Sequence, residues 1–391
     1  MTNSTDSCSS ASPDACAPDG LVPSLVLIGT RKGGTTALSN LLKHHPQILM
    51  PNCTSGIRSR RLRGMCVWDK EVRYFSRGLP QHADLCWYRS LYSCPPAEHR
   101  LPPPSNAGVA EEEESGYVAF DGSPDYLVIP DASVAVMRAQ LGAWTRLVVL
   151  LRNPSDRFYS AYNMAFNEKA LRKQVPRTGS DGGGGGESVP SDPVTYASFA
   201  AALPRLLLCA PICPSEPSVV SMFFDYGLYA KHVRKFHAHF GTAALLVERS
   251  EDFYQDAAST ISRILSFAHL PEPASYSALV QERALSKKAR NVGSVWGGSE
   301  YTGRLQVAER RKLQAWFAPH NRDFYALIGR DMQWEQEAEK PPSAAPASAA
   351  ASVEEPKEEQ QQATQAEVGP PSSSVATSGG SKSVPFLRPE L

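Results

Sequence analysis

A lysine and two threonines beside closely spaced glycines form the first candidate site in this sequence. The run Gly29-Thr-Arg-Lys-Gly-Gly-Thr-Thr36 follows an apolar, β-prone segment, Leu25 to Ile28, and precedes leucines at helical spacing. A strand, a tight glycine turn and a helix N-terminus direct backbone N–H groups and the positive end of a helix dipole to one place. The sequence therefore predicts a phosphate or sulfate site. Its candidate ligands are Lys32, Gly33, Gly34, Thr35 and Thr36.

The position of the lysine separates this loop from an ATP-binding loop. In a Walker A motif the lysine directly follows the second glycine, where it reaches the β- and γ-phosphates. Here Thr35 follows Gly34, and Lys32 stands two residues before that glycine. A P-loop nucleotide kinase or NTPase remains an alternative, which the threonine in the lysine's place disfavours.

A second cluster lies at the end of another predicted strand. The run from Thr145 to Leu151 is continuously apolar after Arg146, as expected of a strand buried on both faces of a parallel sheet. Arg152 stands at its carboxyl end, where open α/β sheets bind ligands. Pro154 favours a helix start, and Ser160 falls two turns into that helix. The planar fork of arginine suits phosphate, but on these residues alone a strand-end arginine is more often part of a structural ion pair.

A third cluster combines acidic, basic and aromatic residues in the segment Trp68-Asp-Lys-Glu-Val-Arg-Tyr-Phe75. It lies inside a run, 58–77, that holds seven lysines and arginines against Asp69 and Glu71. Such a run is either a solvated loop or a rim that attracts an anionic acceptor. Both interpretations stay open on the residues alone.

The three clusters, in this order, resemble the sulfotransferases that use 3′-phosphoadenylyl sulfate (PAPS). The K-x-G-T-T order after a strand resembles their 5′-phosphosulfate loop, and R-N-P-x-x-R-x-x-S from Arg152 to Ser160 resembles their 3′-phosphate site. Lys70-Glu-Val-x-Tyr-Phe75 resembles the K-E-x-H-F-F segment of Golgi glycosaminoglycan sulfotransferases. The resemblance covers residues 23–334 and implies a carbohydrate sulfotransferase.

The resemblance also implies roles for individual residues. Glu71 matches the catalytic base and Lys32 the residue that stabilises the leaving group, while Arg152 and Ser160 match the 3′-phosphate ligands. Arg290, in a basic loop that begins at Leu285, is a further candidate for that phosphate. The implied co-substrate is PAPS, without a metal, and the implied acceptor is a carbohydrate, with an anionic glycan favoured by the basic run. An inert sulfotransferase-like binding protein remains a second alternative.

Three positions depart from the heparan-type members of the family. Arg73 stands where they carry histidine, Ser76 where they often carry aspartate, and Gly122 where they carry lysine. We therefore expect a protein nearer to the galactosaminoglycan-type enzymes than to the heparan-type ones.

The family implies a three-layer, P-loop-type α/β fold with a central parallel sheet and helices on both faces. We expect a disordered leader at 1–22, a sulfotransferase domain at 23–334 and a disordered low-complexity tail at 335–391. A flexible insertion is expected at about 172–195, because five consecutive glycines lie there among serine, proline and aspartate. The tail holds too few apolar residues to bury a core.

The composition also bears on binding to nucleic acid or membranes and on the cellular compartment. The 391 residues carry a formal net charge of zero, so no overall field attracts nucleic acid, and no apolar run is long enough for a membrane span. Eight cysteines are compatible with disulfides, and Cys209 and Cys213 could close a small loop. Asn52 begins a glycosylation sequon. The family implies the Golgi lumen or secretory pathway, although no targeting signal is visible and a soluble cytoplasmic form stays open.

Overall fold

β1, the strand Leu25–Gly29, is completely buried and pairs with a parallel strand on each side. The protein is described from a computed structural model, and the residues described are 21–53, 70–76, 85–92, 116–174, 196–214, 218–285 and 305–336. The other strands in this part of the chain are β2 (Ile48–Leu49), β3 (Val118–Asp121), β4 (Arg146–Leu151) and β5 (Leu245–Arg249).

The five strands form one parallel sheet in the order β2-β3-β1-β4-β5. From β1 the chain moves to one side for β2 and β3, and then crosses to the other side for β4 and β5. This reversal of direction beside β1 opens a crevice at the carboxyl ends of the strands, where ligands bind in open parallel sheets. The glycine loop and Arg152 both follow strands at this edge.

Helices cover both faces of the sheet. They are α1 (Thr35–Leu42), α2 (Leu85–Ser90), α3 (Asp131–Leu141), α4 (Pro154–Gln174), α5 (Tyr196–Cys209), α6 (Ser218–Asp225), α7 (Tyr229–Phe240), α8 (Ser250–Gln255), α9 (Ala257–Phe267), α10 (Ala274–Leu285) and α11 (Val307–Ile328).

The alternating side chains of β1 show how the layers are held together. Val26 and Ile28 belong to the core formed with α3 and α7, whereas Leu25 and Leu27 belong to the core formed with α1 and α9. Each fully buried aliphatic side chain of this kind contributes about 1.5–3 kcal/mol. Two cores on opposite faces of one parallel sheet confirm the predicted three-layer α/β fold.

A separate aromatic core fixes α4, the helix that follows Arg152. Phe158 packs against Phe199 of α5 and Phe224 of α6, with ring centroids 6.4 and 4.5 Å apart. Phe317 of α11 joins the same cluster. The first turns of α4 are therefore held in place by α5, α6 and α11.

The folded part extends slightly beyond the expected boundaries. Leu21 and Val22, expected in the leader, are buried in the core, because Leu21 N donates to the Tyr92 carbonyl and both side chains cover apolar neighbours. Glu335, expected in the tail, accepts hydrogen bonds from Asn321 and Tyr325 of α11. α4 also continues through Gln174, so the first residues of the expected insertion are helical. The remainder of that insertion, and of the leader and tail, lies outside the described residues.

The cysteines in the described part of the chain are oxidised. Cys209 and Cys213 form a disulfide at the end of α5, which confirms the small loop expected from their spacing. Cys53 and Cys86 are disulfide-bonded as well. None of the helices described is both long and apolar enough to cross a bilayer.

Candidate active site

The glycine loop leaves β1 at Gly29 and enters α1 at Thr35. Thr30 N donates to the Leu150 carbonyl of β4 at 3.0 Å, and Gly33 N donates to the Thr30 carbonyl at 2.9 Å. Lys32 and Gly34 have left-handed backbone conformations, with φ of 68° and 97°. Alternating conformations of this kind form concave, anion-binding turns of backbone amides. The turn therefore has the backbone shape that the predicted phosphate or sulfate site would need.

Both glycines of the turn are required by close contacts. A Cβ atom on Gly33 would lie 2.5 Å from the Leu150 carbonyl oxygen, which belongs to the sheet backbone and cannot yield. A Cβ on Gly34 would lie 2.7 Å from the Tyr254 hydroxyl, at a φ that side chains other than glycine rarely adopt. The loop can therefore follow this path only with glycine at these two positions.

The structure brings Lys32 and Arg152 together, because each follows one of the neighbouring strands β1 and β4. Arg152 Nη1 donates to the Lys32 carbonyl at 3.4 Å, and Lys32 Nζ contacts the Met164 sulfur of α4 at 3.8 Å. Ser160 lies two turns into α4 and is half-buried. Two cations and the start of α1 thus share one edge of the sheet, where an anionic ligand with two charged ends would be stabilised.

Glu71 lies close to this edge in a nearly buried ion-pair cluster. Lys70 Nζ is 2.5 Å from Glu71 Oε1, while Arg73 donates to Glu71 Oε2 from Nη2 at 2.7 Å and from Nε at 3.2 Å. Arg73 Nε also lies 4.0 Å from Asp125 Oδ2, and Asp125 Oδ1 lies 2.5 Å from Arg31 Nε. We call these five residues, Lys70, Glu71, Arg73, Asp125 and Arg31, the ion-pair network.

The ion-pair network alternates in charge and becomes more exposed along its length. The relative exposure of its side chains rises from 4% at Lys70 and 7% at Glu71 to 15% at Arg73 and Asp125, and to 36% at Arg31. Arg31 directly precedes Lys32 in the glycine loop. The network therefore connects the candidate base with the candidate anion site through space, although the two segments are distant in sequence.

The carboxyl end of β3 holds the Glu71 segment in place. Gly122 N donates to the Lys70 carbonyl at 2.7 Å, and Arg73 N donates to Ser123 Oγ at 2.9 Å. Asp121 beside them accepts hydrogen bonds from the hydroxyls of Tyr88, Tyr126 and Ser123. Burial raises the pKa of Asp121 and lowers the pKa of the Lys70 ammonium. The segment from Asp121 to Tyr126 thus holds the backbone on both sides of Glu71.

The structure adds site residues that the sequence did not point to. Ser250 Oγ, at the start of α8, donates to the Gly33 carbonyl, and the Tyr254 ring lies over Gly34. Glu251 accepts hydrogen bonds from Asn153 N at 2.9 Å and from Trp334 Nε1 at 3.2 Å, and so ties the start of α8 to the residue after Arg152. The contacts of Ser250 and Tyr254 depend on β5 lying next to β4, a pairing that no local motif reveals.

Some expected residues lie outside the described part of the chain. Arg290 is one of them, and so is most of the basic run at 58–77, of which residues 70–76 are described. Within the described ranges, no three His, Cys, Asp or Glu side chains form a group that could hold a metal ion.

Comparison with known proteins connects this geometry to a family. A model of the sulfotransferase domain matches residues 23–292. This chain belongs to that family. The membership confirms the resemblance expected from the three motif clusters, and it covers the glycine loop, Glu71, Arg152 and Ser160 together.

Curated relatives of this sulfotransferase-family chain include mouse heparan sulfate glucosamine 3-O-sulfotransferase 3B1. It is 24% identical over 323 residues, which are 80% of this chain and 65% of that relative, so the chain spans about two thirds of its length. Mouse heparan sulfate glucosamine 3-O-sulfotransferase 6 is 24% identical over 80% of this chain and 74% of its own. These relatives lend no support to the expected leaning toward galactosaminoglycan-type enzymes.

Solved structures similar to the chain include a sulfotransferase from Alicyclobacillus acidocaldarius, with 18% identity and a TM-score of 0.45 over 80% of this chain and 98% of that one. Mouse sulfotransferase SULT7A1, solved in complex with PAP, has 12% identity and a TM-score of 0.36 over 80% of this chain and 89% of that one.

Proposed function

We propose that this protein transfers the sulfuryl group of PAPS to a hydroxyl or amine of a carbohydrate acceptor. The observation that carries the proposal is the meeting of Lys32 and Arg152 at the carboxyl edge of the sheet, with Arg152 Nη1 3.4 Å from the Lys32 carbonyl. PAPS carries a phosphosulfate at one end and a 3′-phosphate at the other. Two cations beside the N-terminus of α1 suit a ligand with two separated anionic ends.

The reaction proposed is an in-line displacement at sulfur. Glu71 accepts the proton of the acceptor group while the acceptor's electron pair forms the new bond to sulfur. The bond from sulfur to the bridging oxygen breaks, and its electrons leave with the 5′-phosphate of adenosine 3′,5′-bisphosphate. Lys32 and the donors of Gly34, Thr35 and Thr36 stabilise that departing charge.

The 3′-phosphate would be held by Arg152 and Ser160, which distinguishes PAPS from ATP. Arg152 supplies a bidentate, charge-assisted contact, and Ser160 lies on α4 beside it in the sequence motif. Arg290 is proposed as a further contact to the same phosphate. The transfer as proposed uses no metal, because the loop lacks the lysine and serine order of a Walker motif.

A thermal-shift series tests the nucleotide assignment. At a ligand concentration about 100 times its Kd, adenosine 3′,5′-bisphosphate should add about 2.7 kcal/mol to the free energy of unfolding. Adenosine 5′-monophosphate should stabilise less, and Arg152→Ala should abolish the difference between the two nucleotides. Stabilisation by ATP with Mg²⁺ and not by adenosine 3′,5′-bisphosphate would establish the kinase or NTPase alternative instead. Binding without transfer of label from PAPS to any glycan would establish the inert binding protein.

The acceptor and the compartment are proposed on coarser grounds. Relatives named for heparan sulfate support a glycosaminoglycan acceptor. Arg73 and Arg31, the two cations of the ion-pair network other than Lys70, favour an acceptor that carries negative charge. Disulfide bonds at Cys53, Cys86, Cys209 and Cys213 support an oxidising compartment, for which we propose the secretory pathway and the Golgi lumen.

A further inference from the structure

Both oxygens of the Glu71 carboxylate already hold cations. Lys70 Nζ occupies Oε1 at 2.5 Å, and Arg73 occupies Oε2 with two donors, at 2.7 and 3.2 Å. A general base needs an accessible lone pair within about 2.6–3.2 Å of the atom that carries the proton to be accepted. As it stands, the oxygen on the Arg73 side is covered, so an acceptor hydroxyl arriving there would meet a guanidinium rather than a base.

The two cations differ in how firmly they are held. Lys70 is nearly buried, its carbonyl is bonded to Gly122 N, and its ammonium is also attracted by the Asp121 carboxylate. Arg73 is more exposed, and its guanidinium lies between two carboxylates. Its Nε is 4.0 Å from Asp125 Oδ2, which is beyond the hydrogen-bond distance of about 3 Å but within ion-pair range. Arg73 therefore has a second anionic partner in reach on its more exposed side.

The backbone at Arg73 has a disfavoured conformation that neighbouring hydrogen bonds hold in place. Its φ of 58° lies in the left-handed region, which a side chain other than glycine rarely adopts. The conformation is held by the hydrogen bond from Arg73 N to Ser123 Oγ at 2.9 Å and by that from Ser76 N to the Arg73 carbonyl at 3.2 Å. Disfavoured conformations that neighbouring contacts enforce are concentrated at functional sites.

We infer that Arg73 covers Glu71 until an anionic group of the acceptor, a sulfate or a carboxylate, draws the guanidinium away. The inference rests on the proposed function, and in particular on Glu71 as the base. An arginine fork binds sulfate or carboxylate through two parallel hydrogen bonds, which can replace those given to Glu71. Release of Oε2 then exposes the base only when a charged acceptor is present. Arg73 thus determines specificity for acceptor charge.

The test compares two acceptors in the wild-type protein and in Arg73→Gln. One is a glycosaminoglycan oligosaccharide, and the other is the same oligosaccharide after desulfation and carboxyl reduction, which retains hydroxyls but lacks anionic groups. With labelled PAPS, the wild type should prefer the anionic acceptor by about tenfold in kcat/KM. In Arg73→Gln, kcat/KM should fall for the anionic acceptor and rise for the neutral one. Arg73→Lys keeps the charge without the fork and should rescue only part of the preference.

Three controls keep the outcomes distinguishable. Arg138→Gln changes an arginine of α3 that donates to the His239 carbonyl, away from the network, and should leave the preference unchanged. Stabilisation of Arg73→Gln by adenosine 3′,5′-bisphosphate shows that the variant is folded and binds nucleotide. If kcat/KM falls for both acceptors in Arg73→Gln, Arg73 serves only as a structural ion-pair partner of Glu71. That result would overturn the inference but not the proposed function. Absence of transfer to either acceptor by the wild type would refute the proposed function, and the inference with it.

Discussion

The two halves of the candidate site differ in how their charges are paired. The donor half consists of the glycine loop from Thr30 to Thr36 with Arg152 and Ser160, and the acceptor half consists of residues 70–73 with Asp125. In the donor half, Arg31 pairs with Asp125 at 2.5 Å, whereas Arg152 donates to the neutral Lys32 carbonyl at 3.4 Å. In the acceptor half, each charge has an opposite charge within 4.0 Å.

This difference has an electrostatic consequence. A cation held by a neutral group, as Arg152 is by the Lys32 carbonyl, keeps more of its attraction for an incoming anion than a cation in an ion pair. Charges that already neutralise one another gain less from a ligand, because the ligand must first replace existing ion pairs. Arg152 is therefore prepared for an anionic ligand, whereas the acceptor half must rearrange to receive one. Substitutions should affect mainly chemistry in the first half, and both chemistry and stability in the second.

The largest effect is expected from Lys32→Ala in the donor half. Removal of one charged donor from a departing oxyanion should lower kcat by at least about 10³-fold. The free energy of unfolding should hardly change, and adenosine 3′,5′-bisphosphate should still bind, because other ligands of the nucleotide remain. Transfer assays with labelled PAPS and thermal shifts measure both quantities. Lys43→Ala, an exposed lysine just after α1, is the matched control; full activity in Lys32→Ala would remove the role proposed for this residue.

A smaller kinetic effect but a larger structural one is expected from Glu71→Gln. Loss of the base should lower kcat by about 10²-fold. Because the nearly buried Lys70 ammonium would lose its anionic partner, the free energy of unfolding should fall by about 1–3 kcal/mol. Urea unfolding measures the second effect, and exposed Glu282→Gln on α10 serves as the control. Equal stability of Glu71→Gln and Lys32→Ala would contradict the contrast between the two halves.

The donor half was the more predictable of the two from sequence, for a physical reason. Its strand, turn and helix are contiguous, so local spacing was sufficient to indicate Lys32, Gly34 and Thr35. Arg152 could be predicted because it ends a strand, and parallel strands end at one edge. Roles for Glu71 and Ser160 came only from the family resemblance, since an isolated glutamate or serine carries no local signal.

The ion-pair network could not be predicted, because it depends on the order of the strands. Arg31 and Asp125 meet because β3 pairs with β1, and residues 70–73 join them because β3 ends beneath that segment. The same limit applies to Tyr254, which reaches Gly34 only because β5 pairs with β4. The ends of the domain were also missed by small amounts at Leu21 and Glu335, where tertiary contacts override a low local signal.

Asp125→Asn should have the smallest effect of the three substitutions. It also tests whether the donor and acceptor halves are energetically coupled. Asp125 lies between Arg31 of the donor loop and Arg73 of the acceptor half, and its side chain is 15% exposed. Partly exposed ion pairs contribute about 1 kcal/mol or less, so kcat/KM should fall by about fivefold or less. The double variant with Arg31→Gln separates two explanations. If Asp125 joins the halves, the two changes should be non-additive by more than about 0.5 kcal/mol. Additive effects would mean that the donor and acceptor halves are neighbours that act independently.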